Sequence, residues 1–178
     1  IKLRMVPFDD DWKSYQNTID SLGKEIDVIF GLFPPSSLRG SCSLLELGRA
    51  PLCCGIPMKH PLAAHEQLNV QDLYGKQLHI LRRGSSPDID ALRDFLLQNH
   101  PQIQLTDLPD YDMDVLRSFD TIDGIVITAE IWKYAHPSLV TIPVDWEFSV
   151  PYGLLYSKHP TEVMKRFVET IRVNKTAN

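Results

Sequence analysis

The sequence predicts an α/β fold with largely parallel sheets, because short apolar runs alternate with amphipathic helical segments along the chain. The runs at 26–33 and 78–83 have the length of strands, and the first suits a strand buried on both faces of a sheet. Residues 84–101 contain a strong helix start, with Ser86 as N-cap and Pro87 at the first helical position. With 178 residues, the chain has room for one domain or two small lobes.

The first third of the chain predicts a strand, a helix and two further strands. The acids at Asp9–Asp11 suit a helix N-terminus, and Gly23 marks the end of that helix. We interpret the three acids as a helix start rather than as metal ligands. The predicted elements are a strand at Lys2–Phe8, a helix within 10–25, a strand at 26–33, a surface turn at 36–50 and a strand at Pro51–Met58.

The rest of the chain continues the alternation of strands and helices. Asn69 to Leu73 predicts a short capped turn that Gly75 closes. The helix that begins at Ser86 has an apolar face formed by Ile89, Leu92, Phe95 and Leu96, and the last helix has one formed by Val163, Phe167 and Ile171. The other predicted elements are strands at 103–110, 123–132, 138–146 and 149–157, and helices at 112–121 and 159–175.

Composition restricts the class of protein. The 23 acidic and 18 basic residues give a net charge of −5, which is a poor match to a nucleic-acid surface, so we expect any DNA contact to lie outside this chain. The three cysteines predict reduced structural thiols in a cytoplasmic protein. No apolar run approaches the roughly 20 residues of a membrane span, and the start carries no signal peptide. We interpret the chain, which begins at Ile1, as a fragment of a longer protein.

Three stretches together resemble the effector domain of LysR-type transcriptional regulators. The most specific is 52–81, where His60-Pro61-Leu-Ala is followed by Asp72-Leu-x-Gly and a strand. EIDVIFGLF at 25–33 is similar to the family's passage from a helix into a strand, and 149–171 to its closing strand and final helix. The alternative is an unrelated α/β sensor with a similar turn.

The resemblance implies a periplasmic-binding-protein-like fold of type II, with two Rossmann-like lobes joined by two crossover segments. Lobe one would comprise 1–68 plus 148–178, and lobe two 69–147. The chain would cross near 67–70 and return near 143–150. The family's winged helix-turn-helix, and the first strand and helix of its effector domain, would be absent from this chain.

In such a fold, a ligand binds in the crevice at the carboxyl ends of the parallel strands. On lobe one, Gly31, Phe33 and Pro34 would then line the wall. Gly31 would let the backbone approach the ligand, and Phe33 would stack on it. A plain strand end with a core aromatic residue is the alternative for this segment.

On lobe two, the turn that precedes the predicted helix is the best candidate for binding an effector. Gly84, Ser85 and Ser86 place free N–H groups at the helix N-terminus, which favours an anion. Arg82 or Arg83 would add a bidentate carboxylate contact, and strand alternation lets only one of them face the ligand. The alternative is that the serines cap the helix and both arginines are solvated.

Tyr111 and Thr128 are further candidates, because both fall where lobe-two strands would end. The sequence thus predicts a sensor of an anionic metabolite that needs no cofactor or metal and has no catalytic residues, since no GxSxG, Walker or dinucleotide fingerprint is present. Family resemblance implies a homodimer through Lys2–Phe8 and the helix Asp88–Leu97, and a tetramer of the full-length regulator. A transporter's solute receptor shares the fold and is the alternative; its export signal would distinguish it.

Overall fold

A computed structural model describes residues 12–32, 40–109, 124–134 and 137–176, together with Arg4 and Val6. The strand predicted at Lys2–Phe8 lies outside these residues apart from Arg4 and Val6, and the acids at Asp9–Asp11 and the helix predicted at 112–121 lie wholly outside them. The helices are α1 (Trp12–Asp20), α2 (Pro87–Asn99) and α3 (Glu162–Thr176). The strands are β1 (Val28–Leu32), β2 (Ser43–Pro57), β3 (Gln77–Leu81), β4 (Gln104–Leu108), β5 (Ile125–Ala129), β6 (Leu139–Pro143) and β7 (Ser149–Tyr156).

The chain forms two compact units, and strands β2 and β7 each contribute to both. Unit 1 comprises Ile1–Gly48 and Pro151–Asn178, and unit 2 comprises Arg49–Val150. The predicted boundaries between the two lobes lie after residues 68 and 147 instead. Residues 49–68 lie in unit 2 because the second half of β2 pairs with β5 and β6.

Unit 1 contains strand β7 between β1 and the first half of β2, with a hydrophobic cluster from each helix. β1 pairs with β7, so that Gly31 lies opposite Gly153. The prediction that β1 is buried on both faces is wrong, because Phe30 is 59% exposed, and the partner of β1 among the described strands, β7, runs antiparallel. The α1 cluster contains Ile19, Leu22, Ile29, Cys42 and Leu155, and the α3 cluster contains Leu45, Leu154, Tyr156, Met164 and Val168.

Unit 2 contains a mixed sheet in the order β6-β2-β5-β3-β4. β3 runs parallel to β4 and β5, whereas β2 runs antiparallel to β5 and β6. The predicted alternation of strands and helices is confirmed, but the predominance of parallel strands is not, because β2 lies between two antiparallel neighbours. Helix α2 packs on β3, and its predicted apolar face is buried at Ile89, Leu92 and Leu96.

The 310 helix Val70–Leu73 confirms the capped turn predicted there. The Asn69 N–H donates to the Asp72 carboxylate at 2.8 Å, and Gly75 has a φ of +72°. The two predicted crossover segments meet beside it. Leu68 bridges Val144, and the Val70 N–H donates to Asp145 Oδ1 at 2.7 Å.

Two predictions from the hydrophobic pattern are wrong. The surface turn expected at 36–50 is a strand from Ser43 onward, which is a neighbour of β7 in the sheet. Gly48, which interrupts the apolar run, lies against the ring of Tyr152. The apolar face of α3 does not include Val163, which is 70% exposed, since the helix turns Met164 and Val168 inward instead. Among the described residues, no helix is long and apolar enough to span a membrane.

Candidate functional site

The carboxyl ends of the three parallel strands of unit 2 lie at one edge of its sheet. β3 ends at Leu81, and the loop 82–86 follows it directly. The N–H of Arg82 donates to the carbonyl of Leu108 at 2.8 Å, which fastens the start of this loop to the end of β4. Thr128, near the end of β5, belongs to the same edge and is half-buried. The strand register therefore places Thr128 at the same edge of the sheet as the loop.

The loop makes a tight turn at Gly84, whose φ of +88° favours glycine over any residue with a side chain. The N–H of Gly84 donates to the Asp90 carboxylate, with 3.0 Å to Oδ2. The N–H of Ser85 donates to the carbonyl of Arg82 at 3.3 Å. Two of the loop amides expected to bind an anion are therefore already engaged within the protein.

The first turn of α2 keeps unused donors. Ser86 is the N-cap by backbone conformation and accepts from the N–H of Asp90, but its hydroxyl makes no capping hydrogen bond. The N–H groups of Asp88 and Ile89 have no acceptor among the described residues. Such amides carry the positive end of the helix dipole, so they and the Ser86 hydroxyl are available to a ligand.

The two neighbouring arginines of the loop differ in their partners. Arg83 forms an ion pair with Asp94 of α2; this hydrogen bond raises the pKa of Arg83 and lowers that of Asp94. Arg82 is exposed, and no ion-pair partner for it is found in the described part of the chain. Arg82 is therefore the arginine of this loop whose charge is available to a ligand.

Acidic side chains surround the same turn, and three of them form ion pairs or hydrogen bonds within the protein. Asp88 pairs with Arg49, Asp94 pairs with Arg83, and Asp90 accepts from the N–H of Gly84. These partners reduce the repulsion that the carboxylates would exert on an anion. The attraction of Arg82 and of the helix amides for an anion is therefore opposed less strongly. The spacing of these acids gave no sign of their partners, because Arg49 is 39 residues from Asp88.

The remaining predicted residues lie elsewhere or outside the description. Gly31 belongs to unit 1, where an added Cβ would meet no atom within 4 Å. Phe33, Pro34 and Tyr111 lie outside the described residues. Because Gly31 lies in unit 1, it is not counted with the residues of unit 2. The candidate site in unit 2 consists of Arg82, Thr128 and the loop and helix start between 84 and 89.

Cys53 lies opposite Thr128 in the pairing of β2 with β5. Burial raises the pKa of the Cys53 thiol to about 11, with a further contribution from Glu130. The thiol is therefore neutral at pH 7 and behaves as a small apolar side chain. Within the described ranges, no group of three His, Cys, Asp or Glu side chains is arranged to hold a metal ion.

Comparison with known proteins gives one family and a set of related structures. The model of the LysR substrate binding domain matches residues 12–174. No curated protein matches the chain. The match extends over elements of both units, from α1 to α3.

Similar structures include regulatory domains with small molecules bound. The regulatory domain of CcmR from Synechocystis PCC6803 in complex with 2-PG is 13% identical with a TM-score of 0.58, over 90% of this chain and 78% of that one. The effector binding domain of QuiR in complex with shikimate is 18% identical with a TM-score of 0.60, over 92% and 78%. CbnR, a LysR family transcriptional regulator, is 16% identical with a TM-score of 0.63, over 89% of this chain and 56% of its own. These likenesses confirm the predicted fold class, periplasmic-binding-protein-like of type II.

Proposed function

This chain belongs to the family of LysR substrate binding domains, and we propose that it is the effector-sensing domain of a LysR-type transcriptional regulator. The observation that carries the proposal is the family match over residues 12–174. Two of the similar structures are regulatory or effector-binding domains with a small molecule bound, which supports the same role here. The family and its full-length relatives are transcriptional regulators rather than enzymes.

We propose that the effector is an anionic metabolite that binds at the loop before α2. Arg82 supplies the charge, the amides of Asp88 and Ile89 supply directed donors, and the hydroxyls of Ser85, Ser86 and Thr128 complete the polar contacts. A carboxylate or phosphate fits this set, because every group in it can donate a hydrogen bond. Arg83 contributes less, since Asp94 already holds its guanidinium.

Binding regulates by selecting one arrangement of the protein over another. A ligand shifts such an equilibrium only by its different affinities for the two states. We propose that the full-length protein is a cytoplasmic regulator whose DNA contact lies in a separate domain, in agreement with the net charge of −5 on this chain. Full-length CbnR has been described in complex with its target DNA, and this chain covers 57% of that protein.

We also propose that the domain forms a homodimer through α2 and that the full-length regulator forms a tetramer. Leu97 of α2 is an exposed large apolar residue, as an interface on this helix would require. Leu97→Asp would place a charge in the interface and shift the protein to monomer in light scattering. A monomeric wild type, or a variant that stays dimeric, would contradict the proposal.

Thermal unfolding with a panel of small carboxylates, phosphates and aromatic acids tests the effector proposal. A ligand that binds the native state raises the midpoint once its concentration passes the dissociation constant. We expect a hit to be lost in Arg82→Ala and weakened in Ser85→Ala, and to persist in Arg83→Ala, the matched control. A hit that depends on Arg83 but not on Arg82 would contradict the assignment, and no hit across the panel would exclude an anion at this site.

A further inference from the structure

Arg49 joins the two points at which the chain passes between the units. It is the first residue of unit 2, and Ser149 lies one residue before the end of that unit at Val150. Arg49 Nε donates to Ser149 Oγ at 2.9 Å, and Nη2 donates to the Ser149 carbonyl at 2.6 Å. One guanidinium therefore binds both the hydroxyl and the backbone of the returning strand.

The same guanidinium reaches helix α2. Arg49 Nη2 forms an ion pair with Asp88 Oδ1 in the first turn of the helix. Phe95 lies seven residues further on, hence on the same face of α2, and its ring contacts Phe148 with 5.2 Å between centroids. This face of α2 is thus fastened to the returning segment at two places, by an ion pair at Asp88 and by an aromatic contact at Phe95.

Two hydrogen bonds, one from the backbone and one from a side chain, join the returning segment to β2 near Arg49. The N–H of Leu52 donates to the carbonyl of Phe148 at 2.9 Å, and the Trp146 indole N–H donates to the carbonyl of Leu52 at 2.7 Å. Arg49 is linked to these contacts through Ser149, the residue that follows Phe148 in the chain.

We propose that Arg49 and Asp88 form an ionic latch that couples the first turn of α2 to both chain crossings. Arg49 is a positioning residue here, because its fixed fork of N–H donors serves three acceptors on two other elements. The latch is partly open to solvent, with 45% of the Arg49 side chain and 27% of the Asp88 side chain exposed, so it can open without unfolding of the unit.

The pair of Arg83 with Asp94 provides an internal control. It also joins an arginine to an aspartate of α2, but its two residues are 11 apart and lie on the loop and helix alone. Removing Asp94 therefore breaks an ion pair of α2 while leaving the crossings untouched. Removing Asp88 breaks the ion pair that reaches them.

Amide hydrogen exchange of the domain without any ligand tests the latch. In Asp88→Asn, we expect the Leu52 amide to exchange about fivefold faster, because Arg49 then holds Ser149 less firmly, and Ser149 is the chain neighbour of Phe148, whose carbonyl the Leu52 amide binds. Asp94→Asn should leave this rate unchanged. The Gly75 amide, which donates to the Gln102 carbonyl away from the latch, reports any opening of the whole unit.

The reciprocal variant separates coupling from a local effect on the helix. Arg49→Gln leaves every charge of α2 in place, yet it should accelerate exchange of the Asp90 amide at the start of α2 about as much as Asp88→Asn does. At the Asp90 amide, the double variant should equal Arg49→Gln alone, because the ion pair with Asp88 is already absent once Arg49 is replaced. Unchanged Leu52 exchange in Asp88→Asn, an equal effect in Asp94→Asn, or additive effects in the double variant would overturn the proposal. None of these outcomes depends on the effector.

Discussion

The two units of this chain are stabilised in different ways, and the candidate site lies in only one of them. In unit 1, the paired strands β1 and β7 are antiparallel, and α1 and α3 each contribute a hydrophobic cluster. In unit 2, three parallel strands end at one edge, and polar groups of the loop 82–86 lie there with unused donors. Within the described residues, unit 1 is organised around strand packing and unit 2 carries the candidate site.

The largest expected effect comes from the closest backbone approach in unit 1. A Cβ on Gly153 would collide with the carbonyl oxygen of Leu45 and lie 2.9 Å from the amide nitrogen of Leu47, and neither atom belongs to a side chain that can rotate away. We expect Gly153→Ala to reduce the free energy of unfolding by about 3 kcal/mol or more. Thermal or urea unfolding measures this loss.

Gly31, directly opposite Gly153 in the strand pair, is the matched control. An added Cβ there meets no atom within 4 Å, so Gly31→Ala should keep or slightly raise stability, because alanine restricts the unfolded chain more than glycine. Equal losses at the two positions would mean that strand propensity, rather than the close approach to Leu45, determines the stability of unit 1.

A substitution in the core of unit 2 should cost nearly as much. Leu92 of α2 is fully buried, and Leu92→Ala should reduce the free energy of unfolding by about 2–4 kcal/mol through lost burial and a cavity. Met58→Ala, at a side chain that is 63% exposed, should change it by less than about 1 kcal/mol. Comparable losses in the two variants would place Leu92 outside the core.

The cysteines provide a separate readout for each unit. Cys42 lies in unit 1, and Cys53 and Cys54 lie in unit 2; burial raises the pKa of all three thiols, so alkylation of the native protein should be slow. Gly153→Ala should accelerate labelling of Cys42 more than that of the other two, measured by mass spectrometry. Leu92→Ala should do the reverse. Uniform acceleration in both variants would show that the units open together.

The sequence predicted those features that depend on neighbouring residues. The start of α2 at Pro87, the turn closed by Gly75 and the apolar faces of short segments follow from local chemistry. The first half of β2 was missed because Gly48 breaks its apolar run, and the glycine is explained only by the ring of Tyr152, more than 100 residues away.

The candidate site at the loop before α2 stays a prediction that rests on local composition. Local composition could not distinguish Arg82 from Arg83, whose ion-pair partners differ in the structure. Strand alternation could not distinguish them either, because β3 ends at Leu81 and both arginines lie beyond the strand. The loop folds back on α2, so that Arg83 pairs with Asp94 and the N–H of Gly84 donates to Asp90. Spacing in the sequence did not indicate these partners.

The smallest expected effect is a dependence of unit 2 on pH. His79 of β3 is buried, and desolvation lowers its pKa below the ordinary value of 6.5. His79 therefore binds a proton more tightly in the unfolded chain than in the native state. Stability should fall as pH drops below about 6.5 and level off once the native pKa is passed.

Urea unfolding of the wild type and His79→Gln at pH 7.5 and 5.5 measures this dependence of stability on pH. The difference between the two pH values should shrink in His79→Gln and persist in His65→Gln, which removes an exposed imidazole. An undiminished difference in His79→Gln would assign the pH dependence to other groups and leave the lowered pKa of His79 without a consequence for stability.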